Sequence, residues 1–326
     1  MNKYKIALLV PYFGKFNNYF DLWISSCKFN KSIDWIIITD DKQEYKFPNN
    51  VYVKYCEFEE LKNRIQDLYG FKISLDNPYK LCDFRVAYGE IFRDILLDYD
   101  YWGYCDTDLI WGDIRSFITD DILEEYDKIC DAGHFTLYKN NELLKTIYKK
   151  ENIDNCYSYK KVLSNAKSFA FDEWGNNKGI NRIILENGFK LYYENSIFAD
   201  IKVNTYGLRT TREDYGKALS IKNEKEKKYI AYQFIKGKLF QYYINKNNEV
   251  ECNEELYVHF QKRPMSRNRV DEYSDEFIMI PKNKFVENKN INRKFLIENC
   301  KEKNIYFHYY KIRFNNLIIR SEEHTS

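Results

Sequence analysis

Tyr101-Trp102-Gly103-Tyr104-Cys105-Asp106-Thr107-Asp108 is an apolar run that ends in two carboxylates separated by a single residue. A short apolar run closed by polar residues reads as a buried strand, and in an α/β sheet ligands bind beyond the carboxyl ends of the strands. The pattern therefore sets Asp106 and Asp108 at a cleft. Paired carboxylates there suit magnesium or manganese, which take hard oxygen ligands and are commonly completed by phosphates of a bound molecule. An Asp-x-Asp by itself is a common chance pattern, and a solvated acidic loop would look the same. The preceding strand is what raises it above that.

Working outward, Ile6–Val10 is a second apolar run, closed by Pro11-Tyr12-Phe13-Gly14, and Phe20–Cys27 carries apolar residues at helical spacing. Trp35–Thr39 reads as a strand ending in Asp40-Asp41, Val51–Cys56 as another, and Phe58–Tyr69 as a helix stopped by Gly70. Apolar residues from Lys80 to Leu97 recur near the helical period and predict one helix leading into the Tyr101 strand. Downstream, Ile118–Tyr126 reads as a short helix, and Lys128–Cys130, His134–Tyr138, Tyr229–Tyr243 and Glu255–Phe260 as strands. This alternation predicts an α/β protein whose mixed, mostly parallel sheet is flanked by helices. No internal repeat or low-complexity linker divides it. One domain over residues 1–265 with a C-terminal extension over 266–319 is expected.

Composition excludes several classes. Lys and Arg total 51 against 49 acidic residues, a net charge of +2, so no global field recruits nucleic acid. The basic clusters Lys222–Lys228 and Lys262–Arg269 suit a diphosphate or an anionic lipid surface, as in a peripheral membrane contact. Eight cysteines are scattered without a Cys-x-x-Cys pair, which fits free thiols in a reducing, cytoplasmic compartment. No run approaches the ~20 apolar residues of a spanning helix. The 30 Tyr and 23 Phe fit the codon bias of an AT-rich genome as well as sugar-facing surfaces. The tail 320–326 back-translates as a common sequencing adapter, so the natural C-terminus is expected elsewhere.

Further chemistry-bearing residues cluster near strand ends. Pro78-Tyr79-Lys80-Leu81-Cys82-Asp83-Phe84-Arg85 opens the predicted helix, where Lys80 and Arg85 bring cationic donors to backbone N–H groups that favour phosphate. Asp83 there serves a ligand or simply caps the helix. Asp40 and Asp41 are placed to meet a base or ribose, although turn residues would look alike. The strand-like run Phe169-Ala170-Phe171 leads into Asp172-Glu173-Trp174, a carboxylate pair for acid–base work beside an indole able to stack on a sugar. An N-cap and a buried tryptophan are the bland alternative. His134 faces the cleft or sits in the core. There is no Gly-rich phosphate loop of the Gly-x-x-x-x-Gly-Lys type, which weighs against a nucleotidyltransferase. A non-catalytic carbohydrate- or nucleotide-binding protein is the other alternative.

Lys80–Arg85, the Tyr101–Ile114 stretch, Val10–Gly14, Gly133–Tyr138 and His259-Phe260-Gln261-Lys262-Arg263 together resemble a family of bacterial polysaccharide-locus proteins classed as glycosyltransferase-like. The resemblance runs from about residue 5 to about residue 265. It implies a GT-A-like, Rossmann-related fold carrying the Asp-x-Asp motif, a nucleotide-sugar donor (a UDP-sugar first), Mn2+ or Mg2+, and a saccharide or lipid-linked acceptor. It also implies that His259 is the third metal ligand after Asp106 and Asp108, and that Lys262 touches the diphosphate.

Overall fold

The computed structural model describes residues 3–194, 196–202, 205–210 and 226–301. The 320–326 tail and most of the Lys222–Lys228 run lie outside these residues. In chain order the first elements are β1 (Ile6–Pro11), α1 (Phe20–Cys27), β2 (Ile33–Thr39), β3 (Val51–Tyr55) and α2 (Phe58–Gln66). There follow α3 (Leu81–Phe84), α4 (Tyr88–Ile91), β4 (Tyr101–Cys105), β5 (Leu109–Trp111), β6 (Lys128–Ala132), β7 (Phe135–Lys139) and β8 (Leu191–Tyr192). Next come β9 (Ala199–Asp200), β10 (Lys228–Ile235), β11 (Lys238–Ile244) and β12 (Val250–Glu254). The last strands are β13 (Tyr257–His259), β14 (Ser266–Asn268), β15 (Glu276–Ile280) and β16 (Lys284–Glu287).

The chain forms two compact units, one from residues 1–107 and 113–195, the other from 108–112 and 196–326. The first unit is built on a seven-stranded sheet in the order β3-β2-β1-β4-β7-β6-β8. Pairs β3-β2, β2-β1, β1-β4 and β6-β8 are parallel, while β4-β7 and β7-β6 are antiparallel. The mixed, mostly parallel α/β class read from the sequence is the one found. Its physical origin is plain in β1, whose Ile6 to Val10 are all 2% exposed or less because helices and loops cover both faces.

The β4–β7 contact is unusually close. A Cβ at Gly103 would lie 2.0 Å from the Thr136 carbonyl oxygen and 2.8 Å from Leu137 Cδ2. Trp102 beside it stacks on Tyr138 with centroids 4.6 Å apart. Gly103→Ala must push the two strands apart, and is expected to cost about 3 kcal/mol. A urea midpoint unchanged from wild type would refute this tight register.

Two local expectations are corrected. The single helix expected from Lys80 to Leu97 is broken: 3-10 turns at Pro78–Lys80 and Arg85–Ala87 flank α3, and α4 ends at Ile91. Arg64 of α2 donates Nε (2.8 Å) and Nη2 (2.5 Å) to the Ile91 carbonyl, taking the acceptor that another turn would need. The strand-like run at Phe169–Phe171 forms no strand: Phe169 and Ala170 have no regular structure and Phe171 opens a turn. Phe169 and Phe171 both donate their backbone N–H to Asp83, and Ala170 sits at φ +49°, so no ladder can continue through them.

The second unit holds a six-stranded sheet, β12-β11-β10-β15-β16-β14, and a three-stranded one, β5-β13-β9. The Arg293–Asn299 helix packs Leu296 into the core with Ala231, Ile244 and Ile278. Among the described residues no helix is long and apolar enough to cross a membrane.

Candidate functional site

In the first unit the end of β4 delivers Asp106 to a guanidinium. Asp106 donates its N–H to the His134 carbonyl (3.1 Å), which fixes the strand end against the β6–β7 turn, and its carboxylate accepts from Arg85 Nη2. Arg85 Nη1 donates to the Gly133 carbonyl (2.8 Å) and to Asp172 Oδ2 (3.3 Å). Gly133 N–H in turn donates to Glu173 Oε1 at 2.7 Å. Gly133 is thus the hub of the cluster: a Cβ there would lie 2.5 Å from Asp172 Oδ2 and 2.7 Å from Glu173 Oε1. Only a glycine lets both carboxylates approach this backbone.

Electrostatics follow from one cation among several acids. Burial works against the Arg85 charge, but Asp106 and Asp172 hold it protonated. Burial pushes the Asp172 carboxyl up to about 8; Arg85 pulls it back and Glu173 adds to it. Glu173 is raised by its own burial too, against the Gly133 N–H that favours its charge. The pair therefore keeps a proton that an exposed carboxyl would lose. Such a group stabilises the fold while protonated: the contribution is complete below the unfolded value, about 3.9, and is lost as pH climbs through the raised one. Asp172→Asn should remove that loss, so its Tm should gain on the wild type's between about pH 5 and about pH 8. Parallel Tm curves would show that Asp172 carries no extra proton.

Two expected phosphate-site residues have other work. Lys80 is 2% exposed and donates Nζ to Asp83 (2.8 Å) and to the carbonyls of Val162 (3.0 Å) and Lys167 (2.6 Å). Asp83 is fully buried and also accepts from the Phe169 and Phe171 amides. This pair staples the Val162–Phe171 segment to α3 and the turn before it, and the Lys80 ammonium is spent inside on these acceptors. Asp40 accepts from Gly14 N–H (2.7 Å), while Asp41 accepts from Phe16 N–H (3.3 Å) and Gln43 N–H (3.0 Å). They shape the loop after β1, the turn-residue alternative. His134 is 8% exposed on the β6–β7 turn. Trp174, next to Glu173, donates its indole N–H to Asp131 Oδ2 at 2.8 Å.

In the second unit Asp108 precedes β5, and the β5-β13-β9 register sets His259 opposite Leu109 on one side and Asp200 on the other. The imidazole consequently lies between two carboxylates, Nε2 3.3 Å from Asp108 Oδ1 and Nδ1 2.7 Å from Asp200 Oδ1. Gln261 Nε2 bonds both Asp200 oxygens, at 2.8 and 2.7 Å. Lys262 donates its backbone N–H to Asp108 Oδ2 at 2.5 Å, from a turn in which Gln261 and Lys262 both have positive φ. Burial opposes both charges, yet Asp108 and Asp200 hold His259 well above its ordinary pKa, and His259 holds the Asp108 carboxyl well below the usual carboxylate range. Carboxylate and imidazole facing each other, with the far nitrogen fixed by a second carboxylate, is a donor set suited to a divalent ion.

Asp200 escaped the sequence reading. The signal was present: Ile197-Phe198-Ala199-Asp200 is an apolar run ending in an acid, the grammar that singled out Asp40 and Asp106.

No curated protein matches the chain. Among solved structures it is similar to the galactosyltransferase LgtC in complex with donor and acceptor sugar analogues, at 13% identity and a TM-score of 0.33, over 60% of this chain and 75% of that one. It is also similar to the glycosyltransferase GlyE of Streptococcus pneumoniae TIGR4, at 11% identity and a TM-score of 0.25, over 50% of this chain and 42% of that one. The model of DUF6625, a family of unknown function, matches residues 8–289, and the chain belongs to that family.

Proposed function

We propose that this protein is a metal-dependent glycosyltransferase that moves a sugar from a nucleotide-sugar donor, a UDP-sugar first, to a cell-surface polysaccharide or glycolipid acceptor at the cytoplasmic face of the membrane. The observation that carries the reading is the imidazole of His259 poised against Asp108 and oriented by Asp200. Asp108 and His259, with Asp106 two positions upstream, would hold Mn2+ or Mg2+. When bound, the ion neutralises phosphate oxygens and so eases departure of the nucleoside diphosphate. Lys262 is assigned to the diphosphate, where it would add positive charge. Arg85 keeps Asp106 and Asp172 in place around the reacting sugar. Asp172 or Glu173, with a proton retained by burial, contacts the sugar or the acceptor hydroxyl. His134 and Trp174 are assigned to the acceptor side. The GT-A-like assignment and the glycosyltransferase domain over residues 1–265 belong to this same reading.

Thermal unfolding with UDP, GDP and CDP, each with and without manganese, tests it. One nucleoside diphosphate should raise stability only when manganese is present, by about 2.7 kcal/mol at a hundredfold excess over Kd. A metal-independent shift would favour a plain binding module, and no shift with any of the three would remove the donor-binding reading.

A further inference from the structure

The β6 strand is irregular where it faces the acid cluster. Its pairing with β7 slips between Ile129 and Ala132, and Cys130 takes φ +64°, a left-handed conformation that a non-glycine residue adopts only when its surroundings fix it. The bulge sets up Asp131. The Asp131 carbonyl accepts from Asn181 Nδ2 at 2.6 Å, anchoring the backbone to the Ile180–Glu186 helix, and Asp131 Oδ2 accepts the Trp174 indole N–H at 2.8 Å. Asp131 is only 7% exposed, so this bond is shielded from water. Trp174 itself is partly open and meets Tyr193 edge to face, with centroids 6.4 Å apart at 86°. Tyr193 is 49% exposed.

We propose that Trp174 and Tyr193 form an aromatic platform for an uncharged pyranose ring of the acceptor, and that Asp131 is the positioning residue that fixes the indole. The identity of the ligand as an acceptor rests on the glycosyltransferase reading above. Three features point to a sugar. A locked indole presents an apolar face without further loss of rotamer freedom, which is the economy of a preorganised binding site. Trp174 directly follows Asp172 and Glu173, so a ring on the platform is carried beside the carboxylates. The pair keeps one proton, and the negative charge that remains on it, with Asp131, disfavours a uronate and accepts a neutral hexose.

The test uses the full chain. Trp23, Trp35, Trp102 and Trp111 are all fully buried, so acrylamide quenching of fluorescence reports Trp174. Methyl glucoside, methyl galactoside or cellobiose at millimolar concentration should shield the indole, and methyl glucuronide should not. Shielding should vanish in Asp131→Ala and return in Asp131→Asn, whose Oδ1 accepts the same bond. In transfer assays Asp131→Ala should raise the acceptor KM about tenfold, with donor KM and kcat changed by less than about twofold. Absence of shielding by every neutral sugar, or shielding that persists in Asp131→Ala, overturns the platform. A role confined to folding would lower Tm in Asp131→Ala and shift both KM values together, which also overturns it. Shielding without transfer from any donor would sink the enzyme assignment and leave the platform standing; transfer without shielding does the reverse.

Discussion

Asp108→Asn is expected to lower kcat/KM for sugar transfer about a thousandfold while the protein stays folded. The substitution keeps the shape of the side chain, and its Oδ1 still accepts the Lys262 backbone N–H that Asp108 holds at 2.5 Å. What it removes is the negative charge facing His259 Nε2 at 3.3 Å. A divalent ion loses an anionic ligand, and the imidazole loses the partner that keeps it in place. Asp200→Asn acts through the imidazole instead and should weaken manganese binding about tenfold to a hundredfold. Steady-state kinetics over a manganese series separates the two, because added metal should rescue Asp200→Asn and leave Asp108→Asn inactive. Transfer by Asp108→Asn within tenfold of wild type would defeat the assignment of this aspartate as a ligand.

Arg85→Leu should abolish transfer and cost about 3 kcal/mol of stability, the lower part of the range for breaking a buried ion pair. The lower part applies because the side chains of Arg85 and Asp106 retain 20% and 27% exposure, while Asp172 is almost fully enclosed. Removing the guanidinium leaves Asp106 and Asp172 without their shared cation and frees the Gly133 carbonyl. Because the proton retained by Asp172 relieves part of that charge, the deficit should shrink as pH falls. In an Asp172→Asn background the same change should cost less, and a double-mutant cycle measures the difference. Strict additivity would mean that the Arg85–Asp172 contact carries no energy of its own.

Sequence alone disclosed the sheet and the strand end that carries Asp106 and Asp108. Ile6–Val10, Trp35–Thr39 and Tyr101–Cys105 are buried on both faces, so they read as unbroken apolar runs, and the acids that follow them stand at strand ends. His259 stood out only through family resemblance, and the register of β13 with β5 sets it opposite Leu109, next to Asp108. Tertiary choices were invisible. The helical period from Lys80 to Leu97 carries no trace of Arg64 claiming the Ile91 carbonyl from another element. Lys80 and Asp83 have the composition of a phosphate site, and only the fold shows their charges spent on the Val162–Phe171 segment. Asp131 gave no signal, because a bulge depends on how two strands pair and not on either strand by itself.

The excursion of residues 108–112 into the second unit has a consequence for biosynthesis. Leu109, Ile110 and Trp111 are wholly buried, and the strand they form pairs with β13, far along the polypeptide. A ribosome adding 5–20 residues each second needs about 7–30 s to travel from Trp111 to Tyr257. Throughout that interval a Leu-Ile-Trp edge emerges with no mate to cover it. An apolar edge left unpaired during synthesis is an aggregation hazard, and here the order of the strands along the chain sets how long it lasts.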